Sequence, residues 1–197
     1  SSFATKAVLY SKDGSASKGG LIEGIRKNSP FAKEFKDVNP LGTIPAWEEN
    51  GHLLTESAAI CQYLADKVGA LRVLPGDPRY SDYLNFLHQS DATLTFPQTL
   101  VLRYTLLEKP ENRNPKVASD YRRWFIARTT WAERALSDGR PWLCGDEFTV
   151  ADIAVAYALL LAGNLGHLGE VGPHLLSYWD RCQARDGFQR AKAAQKA

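Results

Sequence analysis

The sequence predicts an α/β segment followed by an all-α segment, joined by a turn-rich stretch near Val73 to Asp77. Three features carry this reading. Apolar runs short enough for strands, at Lys6–Tyr10 and around Thr43–Ala46, are confined to the first part of the chain. Glu49-Asn50-Gly51 has the chemistry of a hairpin turn, because glycine takes positive φ without steric cost. Beyond Pro78 the apolar residues recur only at helical spacing.

Each element follows from its residues. Lys6–Tyr10 reads as a first strand, and the polar, glycine-bearing stretch Ser11–Gly20 as the loop after it. Pro45 sits in an apolar run and removes a ladder donor, so a strand is expected to end there on an edge. Thr55 or Ser57 can cap the next helix, whose apolar positions Ala59, Ile60, Tyr63 and Leu64 fall on one face. Leu74-Pro-Gly-Asp-Pro78 is a linker, giving a division into residues 1–72, linker 73–78 and 79–197. A helix is predicted from Tyr83–His88 to about Phe96-Pro97, and another over Asp120–Leu136 with Tyr121, Trp124, Phe125, Arg128 and Trp131 in register. Pro110, Asn112, Asn114 and Pro115 break the chain between them. An apolar helix runs from Thr149 through Leu161 and closes at Gly163-Asn-Leu-Gly166, and a last helix spans roughly Pro173–Arg185.

Composition excludes several classes of function. The 197 residues, 44% hydrophobic, suffice for a sizeable core. Basic and acidic residues number 24 and 22 and are interspersed, for a net charge of +2. There is no basic stripe for a nucleic acid and no polybasic cluster for an anionic membrane. Cys61, Cys144 and Cys182 are odd in number and far apart, against a dithiol redox centre, a zinc site or a disulfide framework. His52, His88, His167 and His174 lack metal-ligand spacing, so no metal is expected. SSFATKAVLY lacks the apolar core of a signal peptide and no run reaches transmembrane length, so a cytoplasmic location is expected.

The segment NPLGTIPAWEENGHLLTESAAICQYLA, residues 39–65, resembles the cytosolic glutathione transferases. A second stretch, Leu143-Cys-Gly-Asp-Glu-Phe-Thr-Val-Ala-Asp-Ile153, is similar to the capping-box segment that opens the family's central C-terminal helix; here Thr149 and Asp152 would bond each other's backbone amides. The resemblance implies a thioredoxin-like N-terminal domain followed by an all-helical C-terminal domain. It implies a cis peptide before Pro45 and backbone pairing of Ile44 with the cysteinyl part of glutathione. Glu56 and Ser57 would hold the γ-glutamyl end, at a helix start suited to a carboxylate. Lys33 or Arg26 would meet the glycine carboxylate.

The implied reaction is attack of the glutathione thiolate on a hydrophobic electrophile. A thiol ordinarily titrates near ~8.5, and bringing it to about 6.5 takes roughly 2.7 kcal/mol of preferential thiolate stabilisation. In the family a hydroxyl or a cysteine after the first strand contributes this. Ser11, Ser15, Ser17 and Tyr10 are the candidates here, with Ser15 ahead of Ser17. The loop has no cysteine, which points to the serine-dependent bacterial type. The electrophile would lie between the domains, with Phe86, Phe96 and Tyr104 as candidate walls. Glutathione, the electrophile and a second copy of the chain, as a homodimer, are the implied partners. The alternatives are a non-catalytic binding module, or a more specialised glutathione-dependent lyase or dehalogenase.

Overall fold

The computed structural model describes residues 39–42 and 44–194. Packing divides the chain into two compact units, with the boundary between Thr55 and Glu56.

The described part of the first unit is a β-hairpin. Strand β1 (Trp47–Glu49) pairs antiparallel with β2 (His52–Leu54), placing Trp47 opposite Leu54 and Glu49 opposite His52. Asn50 and Gly51 both take positive φ, 51° and 77°, the backbone of a type I′ turn. The Ile44–Pro45 peptide is cis, as the resemblance implies. The strand follows this proline instead of ending at it. Without an amide hydrogen Pro45 cannot donate to a ladder, and pairing begins only at Trp47.

In the second unit the regular structure of the described residues is helical. Helix α1 (Ser57–Val68) ends at Gly69, whose φ of 71° gives a left-handed cap. A turn-rich connection leads to α2 (Tyr80–Gln89). The prediction that this helix stops near Phe96-Pro97 is corrected. It widens into a π-helical turn, Ser90–Thr95, continues as α3 (Phe96–Leu102), and widens again over Arg103–Leu107. The wide turn places Pro97 at the start of α3, where its missing donor breaks nothing. Helix α4 covers Pro115–Leu136, starting earlier than the predicted Asp120. Pro115 is its first residue and not a break, and the Asn114 side chain caps it, accepting from the Val117 amide at 3.1 Å.

Helix α5 (Val150–Asn164) is the centre of the unit, since its sequence is apolar on nearly every side. Val150, Ala151, Val155, Ala156, Ala158, Leu159 and Ala162 are buried in a core shared with Ala58, Ala65, Phe86, Leu87, Phe125 and Tyr178. Helix α6 (Pro173–Ala184) takes its cap from α4: Glu133 accepts from the His174 and Leu175 amides at 3.1 and 2.8 Å. A further helix, α7 (Asp186–Ala194), was not predicted; Phe188 docks it edge-on against Trp179 at 5.6 Å.

Two buried polar clusters tie these helices together. The capping box at α5 is present, and Asp152 exceeds it. Its carboxylate accepts from the Thr149 amide and hydroxyl, from the Leu143 amide and from the Tyr178 hydroxyl. Burial pushes the Asp152 carboxyl up, and the bonds from Leu143 and Thr149 pull it back. In the second cluster, His167 is 1% exposed and its Nε2 lies 3.1 Å from Gln98 Oε1. Gln98 Nε2 donates to the carbonyls of Leu94, at 3.1 Å, and Ala158, at 3.0 Å.

Removing the Asp152 carboxylate leaves its buried donors without an acceptor. Asp152→Ala is expected to lower unfolding free energy by about 3 kcal/mol, read from urea melts; a loss under about 1 kcal/mol contradicts the role given to it. His167 gives a pH dependence. Burial and then Arg122 hold its pKa below the ordinary value. The unfolded chain therefore takes up the proton first, near pH ~6.5, and stability present above that is lost as pH falls toward the folded value. The wild type should lose unfolding free energy as pH falls below about 7, and His167→Gln should lose measurably less.

Candidate active site

The start of α1 is open. Glu56 occupies the cap position with extended backbone, φ −89° and ψ 125°, and among the described residues no side chain caps the helix. The expected cap by Thr55 or Ser57 is thus corrected: Ser57 is the first helical residue, and the cap residue is a glutamate whose carboxylate does not fold back. The first-turn amides have no intrahelical acceptor by the geometry of any α-helix and carry the positive end of its dipole. Glu56 and Ser57 are both exposed, and their side chains form no hydrogen bond or ion pair among the described residues.

Asp91, in the wide turn Ser90–Thr95, was not singled out by the sequence. It is half-buried and its side chain forms no hydrogen bond or ion pair among the described residues. Burial raises its pKa, and the Glu56 carboxylate raises it further, with His88 opposing. Two carboxylates near enough to disfavour each other's charge would welcome a cation. The same Asp91 charge, after burial, pushes the Cys61 thiol up. Cys61 is therefore held as a thiol and does not supply a thiolate. No pattern in the sequence marks Asp91, because its place depends on the widened helix.

The other predicted residues fall as follows. Ser15, Ser17 and Lys33, with Tyr10, Ser11 and Arg26, lie outside the described residues. Pro45 is exposed, and the Ile44 side chain before the cis peptide is 83% exposed. Phe86 is 1% exposed and forms part of the wall of a cavity of about 350 Å³ with Asp82, Trp131 and Arg134. Phe96, at the start of α3, is 55% exposed. Tyr104, in the second wide turn, is half-buried with the Arg103 guanidinium 5.8 Å from its ring centre. Neither Phe96 nor Tyr104 lines the cavity that Phe86 borders. Among the described residues no group of three His, Cys, Asp or Glu side chains is placed to hold a metal, and no helix is long and apolar enough to cross a membrane.

A thiol whose pKa is raised by burial and by Asp91 is a poor nucleophile at neutral pH. Cys61→Ser should retain turnover within about twofold in a conjugation assay, and a loss of tenfold or more would give that thiol a role denied here.

Residues 22–67 match the family model for the glutathione S-transferase N-terminal domain, and residues 130–188 the model for its C-terminal domain. The chain is 30% identical to glutathione S-transferase GstA of Escherichia coli O157:H7 over 190 residues, covering 88% of this chain and 84% of the relative. It is 28% identical to glutathione S-transferase 1 of Manduca sexta, covering 88% and 77%. Among solved structures, a glutathione transferase from Methylococcus capsulatus aligns with a TM-score of 0.69 at 28% identity, covering 82% of this chain and 78% of that one. The chain belongs to the glutathione S-transferase family, with that family's fold of an α/β N-terminal domain followed by an all-helical one.

Proposed function

We propose that the protein is a glutathione transferase of the serine-dependent type, joining the glutathione sulfur to a hydrophobic electrophile. The observation that carries the binding part is the start of α1, where the Glu56, Ser57 and Asp91 side chains form no hydrogen bond or ion pair among the described residues. The γ-glutamyl carboxylate would take the Ser57 hydroxyl and the first-turn amides, where the helix dipole favours an anion. The ammonium would sit with Glu56 and Asp91, relieving the repulsion between them. The Ile44 backbone beside Pro45 would pair with the cysteinyl unit, and Lys33 would meet the glycine carboxylate. No backbone hydrogen bond of Ile44 is formed among the described residues.

Ser15 or Ser17 would donate to the sulfur and favour the thiolate. Carbon–sulfur bond formation then uses the thiolate lone pair, and the electrophile gives up its leaving group or takes a proton from solvent. Residues 1–72 are assigned as the glutathione-binding domain, 73–78 as the linker and 79–197 as the helical domain. Phe96 and Tyr104 are the better candidate walls for the electrophile, since both keep exposed surface where Phe86 is packed in the core. The cytoplasmic homodimer that the family resemblance implies belongs to the same proposal.

Ser57→Ala should weaken glutathione binding by roughly tenfold in calorimetric titration, the scale of one charge-assisted hydrogen bond. Helical content should be unchanged. Ser15→Ala, or Ser17→Ala if the second serine is the donor, should lower turnover by roughly a hundredfold or less while leaving affinity within about twofold. Unchanged affinity in Ser57→Ala ends the anchoring argument.

A further inference from the structure

We propose that the buried Gln98–His167 pair positions Asp91 for glutathione, by clamping the wide turn Ser90–Thr95 against the central helix. The inference rests on the glutathione reading above and adds two residues that touch no substrate.

A π-helical turn is a rare backbone, and it persists only where surrounding groups hold it. Here the holding groups are polar and buried. Gln98 is fully buried on α3, one residue beyond Pro97. Its side-chain amide donates both hydrogens, one to the Leu94 carbonyl inside the wide turn and one to the Ala158 carbonyl of α5. Both donors are thereby used, so Gln98 Oε1 must face His167 as an acceptor. His167 Nε2 must then carry the hydrogen at the 3.1 Å contact. His167 is itself fixed by its backbone amide, which donates to the Ala162 carbonyl at 3.0 Å, and by the edge of Phe125 at 5.3 Å.

The chain of contacts thus runs from the end of α5 through His167 and Gln98 to the carbonyl of Leu94. Asp91 stands three residues before Leu94 in the same wide turn, and its carboxylate feels that of Glu56. Cutting the clamp frees the turn to relax toward ordinary helix. A change of one residue in helical register rotates a side chain by about 100°. Asp91 would then turn away from Glu56.

The test compares KM for glutathione with kcat in Asp91→Asn, Gln98→Leu and the double variant. The expected result is that each single change raises KM for glutathione by roughly fivefold to tenfold with kcat within about threefold. Asp91→Asn should add less than about twofold when Gln98 is already leucine, because the carboxylate is already misplaced. His167→Phe should reproduce Gln98→Leu, and stands in for it if that variant does not fold. His167→Gln, which restores an N–H donor, should return KM to within about twofold of wild type. A role in stability alone would lower the melting temperature and the active fraction without this coupling or this rescue.

Additive effects of Asp91→Asn and Gln98→Leu, or a normal KM in Gln98→Leu, overturn the clamp while leaving the glutathione reading intact. A normal KM in Asp91→Asn overturns the clamp and the role given to Asp91. A normal KM in Ser57→Ala as well overturns the glutathione reading itself.

Discussion

Asp152 gathers three separate parts of the helical unit onto one carboxylate. It closes the first turn of α5 through Thr149, fixes the incoming loop through the Leu143 amide, and anchors α6 through the Tyr178 hydroxyl. A buried charge is tolerable only when its lone pairs are occupied, and here each oxygen accepts at least two bonds. The apolar surface of α5 can then pack on several sides without the register being left to shape alone. The Gln98–His167 pair does the same at the far end of α5. Between them these clusters fix where α2, α3, α4 and α6 stand around the central helix.

The contrast with α1 gives the structure its functional meaning. α4 is capped by Asn114, α5 by Thr149 and α6 by Glu133, while among the described residues no side chain closes α1. Beside the paired carboxylates Glu56 and Asp91, the first-turn amides of α1 can take an acceptor from outside. An anion suits the amides there, and a cation suits the nearby pair Glu56 and Asp91. Glutathione carries both groups on one carbon at its γ-glutamyl end, which is the proposed fit.

Much of this was legible in the residues because it depends on local rules. Asn50-Gly51 announces its turn, Thr149-x-x-Asp152 its capping box, and the apolar run after Val150 a helix buried all round. The family resemblance rested on these same local signals around Ile44-Pro45 and Glu56-Ser57. Where prolines were read as breaks the local rule was incomplete. Pro97 is accommodated by a widened turn that Gln98 supports from four residues away, and Pro115 begins a helix with Asn114 as its cap. Asp91, Gln98 and His167 were missed for a different reason: their partners lie 35, 60 and 69 residues distant in the chain, at Glu56, Ala158 and Gln98. Spacing cannot reveal a pairing that exists only after the helices pack.

The central claim is that an amino acid head group settles at the open end of α1 beside Asp91. Its most direct measurement is a glutathione titration of the isotope-labelled protein followed by backbone amide NMR. Saturable shifts at the amides of Ser57, Ala58 and Ala59, matched in midpoint by a shift at Asp91, are expected. Saturable binding that leaves those four amides unmoved would contradict it.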